Sequence, residues 1–136
     1  MKKIWILLFF GIIYIPQSLD TQVSFPRVGT WKVTGRDSFT IYTNSSMVIE
    51  EVDGDAFKGY FDWYSIMNSE GREYFIGSYD PKYRKVVIKG YRLSNNSKGL
   101  ALGVYEAYLS RNGRDLEDGT WGGFFVNPGT WEAKWQ

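Results

Sequence analysis

The chain closes on Gly129-Thr130-Trp131-Glu132-Ala133-Lys134-Trp135, in which apolar and polar side chains alternate without a slip. Trp131, Ala133 and Trp135 fall on one face, and Thr130, Glu132 and Lys134 on the other. That two-residue period belongs to a half-buried β-strand. Upstream, segments with strand signals recur over 28–35, 38–43, 46–52, 57–66, 72–80, 84–93, 100–109 and 114–122, ahead of 129–135 itself. Turn formers separate them, among them Gly35-Arg36-Asp37, Asp53-Gly54-Asp55, Asp80-Pro81, Asn112-Gly113 and Asn127-Pro128-Gly129. No glycine-free window carries the apolar stripe of a helix. Short links between successive strands make antiparallel neighbours. The expected fold is all-β, an antiparallel meander closed into an up-and-down barrel of about eight strands.

A glycine stands two residues before a ring at Gly29/Trp31, Gly59/Phe61, Gly77/Tyr79, Gly103/Tyr105, Gly119/Trp121 and Gly129/Trp131. Residues two apart share a strand face, so each pair sets a glycine beside a large ring. The glycine leaves room for a ring from the next strand and lets the strand bend. With that face inward, the expected lining is Trp31, Val33, Phe39, Ile41, Phe61, Trp63, Phe75, Tyr79, Tyr105, Trp121, Trp131 and Trp135. A barrel of this size has room for packed side chains or for one small ligand.

Composition narrows the chemistry. Among 136 residues there is no cysteine and no histidine, 18% are aromatic, and the formal net charge is +1. Disulfides, thiolate metal sites and the Ser-His-Asp and Cys-His arrangements are excluded. A charge this close to zero is no footprint for nucleic acid, which is not an expected partner. The only basic cluster, Lys82, Arg84, Lys85, Lys89 and Arg92, reads as a solvated strand face.

The N-terminus reads as a secretory signal peptide over 1–18: Lys2 and Lys3, then the uncharged run Ile4 to Ile15, then Pro16, Gln17 and Ser18. Twelve residues are fewer than a spanning helix needs. The chain is therefore expected to be secreted or periplasmic, and not membrane-spanning once processed. Loss of Lys2 and Lys3 takes the 16 basic residues to 14 against 15 acidic ones. Residues 19–27 are then an N-terminal tail and 28–136 the barrel domain.

Two strands are apolar on both faces. The outer face of 57–66 carries Tyr60, Tyr64 and Ile66, and that of 100–109 carries Leu100, Leu102, Val104 and Tyr108. Such strands are covered on both sides. Self-association, or docking of the tail 21–27, is expected over Leu100, Leu102 and Val104.

From 28 to 135 the chain resembles the calycin group, the lipocalin and avidin type of up-and-down barrel. The carriers are Gly29-Thr30-Trp31, Phe57-Lys58-Gly59-Tyr60-Phe61, and Gly71-Arg72-Glu73-Tyr74-Phe75-Ile76-Gly77-Ser78-Tyr79-Asp80. The resemblance implies an interior ligand site, but the avidin biotin chemistry does not carry over. Val33 stands where that pattern has an asparagine, and Phe61 where it has a tyrosine. A buried ureido group left without these partners would lose about 1–3 kcal/mol per missing bond. The lipocalin pattern lacks its cysteines and its terminal helix.

No acid pair is placed for catalysis: Glu50/Glu51 and Glu117/Asp118 point to opposite faces. Asp53-Gly54-Asp55 lacks the further oxygen ligands of a calcium loop. No metal, cofactor or enzymatic activity is expected. Arg72 and Glu73, at a strand start, are expected in solvent. Arg92, in phase with Ile88 and Gly90, and Glu106 pair across neighbouring strands if both point inward, and are solvated otherwise. The expected function is a non-enzymatic barrel taking a small apolar or aromatic ligand, with Trp31, Phe61, Trp63, Tyr79, Arg92, Tyr105 and Trp121 as ligand-binding residues. The alternative is an interaction or inhibitor barrel with a filled core. An interior cavity of several hundred Å3 favours the first.

Overall fold

The structure, a computed structural model, describes residues 23–136. The expected signal peptide, 1–18, and the first residues of the tail lie outside that range. Eight strands follow in chain order: β1 Gly29–Asp37, β2 Ile41–Asp53, β3 Ala56–Tyr64, β4 Glu70–Asp80, β5 Lys85–Leu93, β6 Val104–Leu109, β7 Asp115–Gly122 and β8 Gly129–Trp135. Each pairs antiparallel with the next, and β1 pairs with β8, so the meander closes into a barrel. Across that seam Trp31 faces Trp135, Val33 faces Ala133 and Gly35 faces Trp131. No helix among the described residues is long and apolar enough to cross a membrane.

The glycines seat the rings as their spacing suggests. A side chain at Gly77 would collide with the Phe57 ring, at Gly29 with Trp135, and at Gly35 or Gly129 with Trp121. The interior is a column of rings in edge-to-face and tilted contact. Phe61, at its centre, touches Trp63 and Tyr105 at 4.7 Å between centroids, Phe75 at 5.0 Å and Trp131 at 6.0 Å. Edge-to-face and offset pairs favour such a column beyond the area they bury.

The expected strands 38–43 and 46–52 are one strand, β2. Its phase breaks at Asn44, which has a positive φ of 54°, so Tyr42 and then Ser45, Met47 and Ile49 turn inward. Phe39 and Ile41, expected in the lining, are therefore outside. Phe39, on the turn, is 72% exposed, and Ile41 is exposed on β2. Asp37 fixes that turn by accepting the amides of Phe39 and Thr40 at 2.7 and 2.9 Å.

The tail also departs from expectation. Its described part, 23–27, does not lie over Leu102 and Val104 but across one end of the barrel. The Val23 amide donates to the Asn112 carbonyl at 3.0 Å. Phe25 sets its ring edge-to-face against Trp31, Phe57 and Tyr79, at 5.7, 5.4 and 5.1 Å. Arg27 then stacks over Trp135. The connections at this end are 54–55, 81–84 and 110–114. There Arg84 reaches across to donate to the carbonyls of Leu109 and Ser110. The opposite end carries 38–40, 65–69, 94–103 and 123–128, and nothing among the described residues plugs it.

Outside the wall, cross-strand side chains cover Tyr60 on the outer face of β3, while Tyr64 and, beyond the strand, Ile66 stay exposed. Asp62 takes two bonds from the Arg72 guanidinium, at 2.8 and 3.0 Å. Arg72 stacks on Tyr60, Tyr60 meets Tyr74, and Arg92 stacks on Tyr74. Cation–π contacts of this kind shield ring faces from water.

Candidate functional site

Above the column of rings, away from the plug, a cavity lies at the open end. Its volume is about 410 Å3. Trp63 of β3, Tyr105 of β6, Trp121 of β7 and Tyr42 of β2 wall it, with Leu100 and Val126 from the flanking loops. Trp121 is held in place by its indole N–H, which donates to the Asn127 carbonyl at 2.9 Å. Phe39, Met67 and Phe125 stand at the mouth, exposed. A shallower depression of about 590 Å3 lies on the outer wall, with Trp131 the one ring in its lining. It faces solvent and holds no buried titratable group.

The sequence-derived site residues divide by height in the barrel. Trp63, Tyr105 and Trp121 line the cavity. Phe61 lies beneath them, stacked on Trp63 and fully buried. Trp31 and Tyr79 belong to the other end, under Phe25. Arg92 is not in the interior. The β4–β5 ladder pairs Tyr74 with Arg92 and then Phe75 with Gly90, so Tyr91 is an extra residue and the phase of β5 flips there. Arg92 is carried outside onto Tyr74, and Glu106 pairs with Lys85 at 3.2 Å instead. Leu100, expected on the outer face with Leu102 and Val104, sits in the cavity wall.

The residue that sequence reasoning misplaced most is Glu73. Rather than solvated, it is 1% exposed and lines the cavity floor. Its Oε1 accepts the Trp63 indole N–H at 3.0 Å and the Tyr105 hydroxyl at 2.5 Å; its Oε2 accepts the Gly103 amide at 2.8 Å. Its seat is made by Gly90, where any Cβ would collide with the carboxylate. Burial pushes the Glu73 carboxyl above its ordinary range, against the three hydrogen bonds, which favour the charged form. Burial and the nearby carboxylate hold the Tyr105 phenol well above its own. Tyr42 is raised too, first by burial and then by Asp37. The indole and the amide can only donate, so Glu73 must accept from both. The Tyr105 hydroxyl can donate to a carboxylate or accept from a carboxylic acid, so either protonation state of Glu73 is satisfied. The clue in the sequence was the two-residue period: Glu73 is in phase with Phe75, Gly77 and Tyr79.

No known family matches the chain, and no curated protein matches it. Among solved structures, the fold is similar to a de novo designed fluorescence-activating β-barrel. The TM-score is 0.56 and the identity 12%, over 81% of this chain and 94% of the designed one. The two share a β-barrel fold with little sequence in common.

Proposed function

We propose that this protein is a non-enzymatic barrel of calycin type that binds one small apolar or aromatic ligand through its open end, after export to the periplasm or the outside of the cell. The observation that carries the reading is the cavity: about 410 Å3, walled by Trp63, Tyr105 and Trp121, above an interior otherwise filled with rings. Ligand sites are concave, mostly apolar, and oriented by a few polar groups; this size and lining fit that description. The similarity to a fluorescence-activating barrel agrees with the architecture and assigns no ligand. The N-terminal sequence supports export, and intact mass of the mature product tests it: shortening by about 18 to 22 residues is expected.

Titration with N-phenyl-1-naphthylamine, an uncharged dye whose emission rises in apolar surroundings, tests the binding. A saturable one-to-one rise is expected, weakened by Leu100→Glu at the cavity wall and unaffected by Lys89→Glu on the outer face. Absence of a saturable signal, or equal loss in both variants, overturns the reading.

A second reading rests on Leu102 and Val104. Both are 40% exposed on the outer face, and the tail does not cover them. They support self-association along the start of β6, which leaves the open end free.

A further inference from the structure

We propose that the ligand is an organic cation, a protonated amine on an apolar body, and that Glu73 is the group that receives its charge. This rests on the ligand-binding reading above and names the class of ligand. The cavity lining contains two acidic side chains, Glu73 and Asp37, and no lysine or arginine. Asp37 stands near the mouth and is committed to its turn. Glu73 is at the floor, and every group bonded to it is a neutral donor: an indole, a phenol and a backbone amide. A buried carboxylate with no counter-charge is costly, and proteins ordinarily supply a base or leave the group protonated. Here the arginines nearest in the chain are engaged elsewhere, Arg72 on Asp62 and Tyr60, Arg84 on the carbonyls of Leu109 and Ser110 at the other end, and Arg92 on Tyr74. The missing positive charge is left for the guest.

The surroundings fit an ammonium group. Oε1 of Glu73 already takes two donors, whereas Oε2 takes only the Gly103 amide. A carboxylate oxygen accepts two, so Oε2 has capacity for one N–H of the guest. Thr40 lines the same cavity, and its hydroxyl is buried without a partner, available to accept another. Trp63, Tyr105, Trp121 and Tyr42 line the same cavity. Aromatic rings attract organic cations and repel anions, and they do so most strongly out of water. An anion of the same shape would meet the Glu73 carboxylate, with hydroxyl donors such as Thr40 in the lining but no lysine or arginine to offset its charge. A neutral ligand with a hydroxyl could pair with Oε2 or Thr40 but would bring no charge to meet the carboxylate, and one without a donor would leave both unpaired.

A matched series tests the charge separately from the shape: 2-(1-naphthyl)ethylamine, 2-(1-naphthyl)ethanol and 1-naphthylacetate, titrated calorimetrically at pH 7. The amine is expected to bind about tenfold tighter than the alcohol or better, the gain of one charged hydrogen bond, and the acetate weakest. In Glu73→Gln, whose single carbonyl cannot accept from both the indole and the Gly103 amide, both affinities are expected to fall, and the amine and the alcohol should become equal within about threefold. The wild-type chain gives a second measurement that needs no variant. Glu73 faces Tyr105 and Tyr42, with Asp37 beyond at the mouth; the two phenols are raised and stay neutral throughout the acid range. The amine preference should therefore fade as the pH is lowered through the Glu73 range, while alcohol affinity holds steady. Equal binding of amine and alcohol by the wild type, or a preference that survives in Glu73→Gln and at low pH, overturns the cation and leaves the ligand-binding reading standing. Binding of none of the three overturns both.

Discussion

The two ends of the barrel are built from the same strands and finished in opposite ways. At one end three short connections draw the strands together, and Phe25 is set into the opening against Trp31, Phe57 and Tyr79. At the other end the connection 94–103 runs to ten residues, and Leu100 and Val126 line the cavity while other apolar side chains are left in solvent. Phe124 and Phe125 there are 92% and 84% exposed. Packing is complete where the rings have partners on every side and stops at the level of Trp63, Tyr105 and Trp121. Stability and recognition are thereby assigned to different heights of one barrel. Glu73, the only buried carboxyl among the described residues, lies at the boundary between them.

The largest effect that would break this division is loss of a ring from the packed column. Trp131→Ala removes a buried ring that meets both Phe61 and Tyr105 and that bonds the Thr120 carbonyl through its indole N–H. A loss of about 3–5 kcal/mol is expected by denaturant unfolding, enough to leave most molecules unfolded in a domain of ordinary stability. Trp121→Ala, with one face already open to the cavity, should cost less than Trp131→Ala. Equal costs would mean that the cavity is not there.

Removing the plug should come next. Phe25→Ala takes away the ring that closes the lower end, at about 2–3 kcal/mol, below a full core deletion because the tail side chain is only half-buried. The same change should open Trp31 to acrylamide quenching while the dye still binds at the other end. Loss of dye binding together with the plug would place the guest at the wrong end of the barrel.

The pH dependence of stability sharpens the boundary itself. Glu73 has its folded-state pKa raised above the ordinary 4.5. Below 4.5 the folded and unfolded states are both protonated at this group, and its contribution is at its most favourable. As the pH rises past 4.5 the unfolded chain gives up the proton and the folded chain keeps it, so stability falls, by at most about 1.4 kcal/mol per pH unit, until the folded pKa is passed. Glu73→Gln should abolish that slope, seen as the difference between the two unfolding free energies across pH 4 to 8. An unchanged slope in the variant would mean that the carboxylate titrates as it does in water.

Much of this organisation was legible in the sequence, and the failures share one cause. The turns, the strand order and the glycine–ring pairs follow from local chemistry, and most of the interior follows from alternation counted within a strand. Alternation fails when it is carried through an irregularity the sequence does not announce. Counting through 38–43 put Phe39 and Ile41 inside, because neither the Asp37-capped turn nor the phase break at Asn44 has a side-chain signature strong enough to reset the count. Counting from Ile88 through Gly90 put Arg92 inside, but Tyr91 is an extra residue against β4. Glu73 is the reverse case: the count was right, and the preference of a carboxylate for water was allowed to override it. Its three donors come from residues ten to 32 positions away, so no local pattern foretold that the burial would be satisfied.

The smallest expected effect lies at the outer edge of the open end. Leu102 ends the 94–103 connection with its side chain 40% exposed, next to Val104 and on the opposite face from Gly103 and Tyr105. The inner face of this segment is fixed by contacts that Leu102 does not make: the Gly103 amide on Glu73, and the Tyr105 ring on Phe61 and Trp131. Leu102→Lys should therefore change stability by less than about 0.5 kcal/mol, as surface substitutions do, and leave cavity binding intact. What it should change is association. If copies of the chain meet over Leu102 and Val104, two symmetry-related charges would face each other across the contact, and light scattering should show the wild-type assembly reduced to single chains. A wild-type chain that is already monomeric at high concentration refutes the self-association. A variant that fails to fold refutes the register on which both the outer patch and the seat of Glu73 depend, because a slip of one residue in this strand exchanges its two faces.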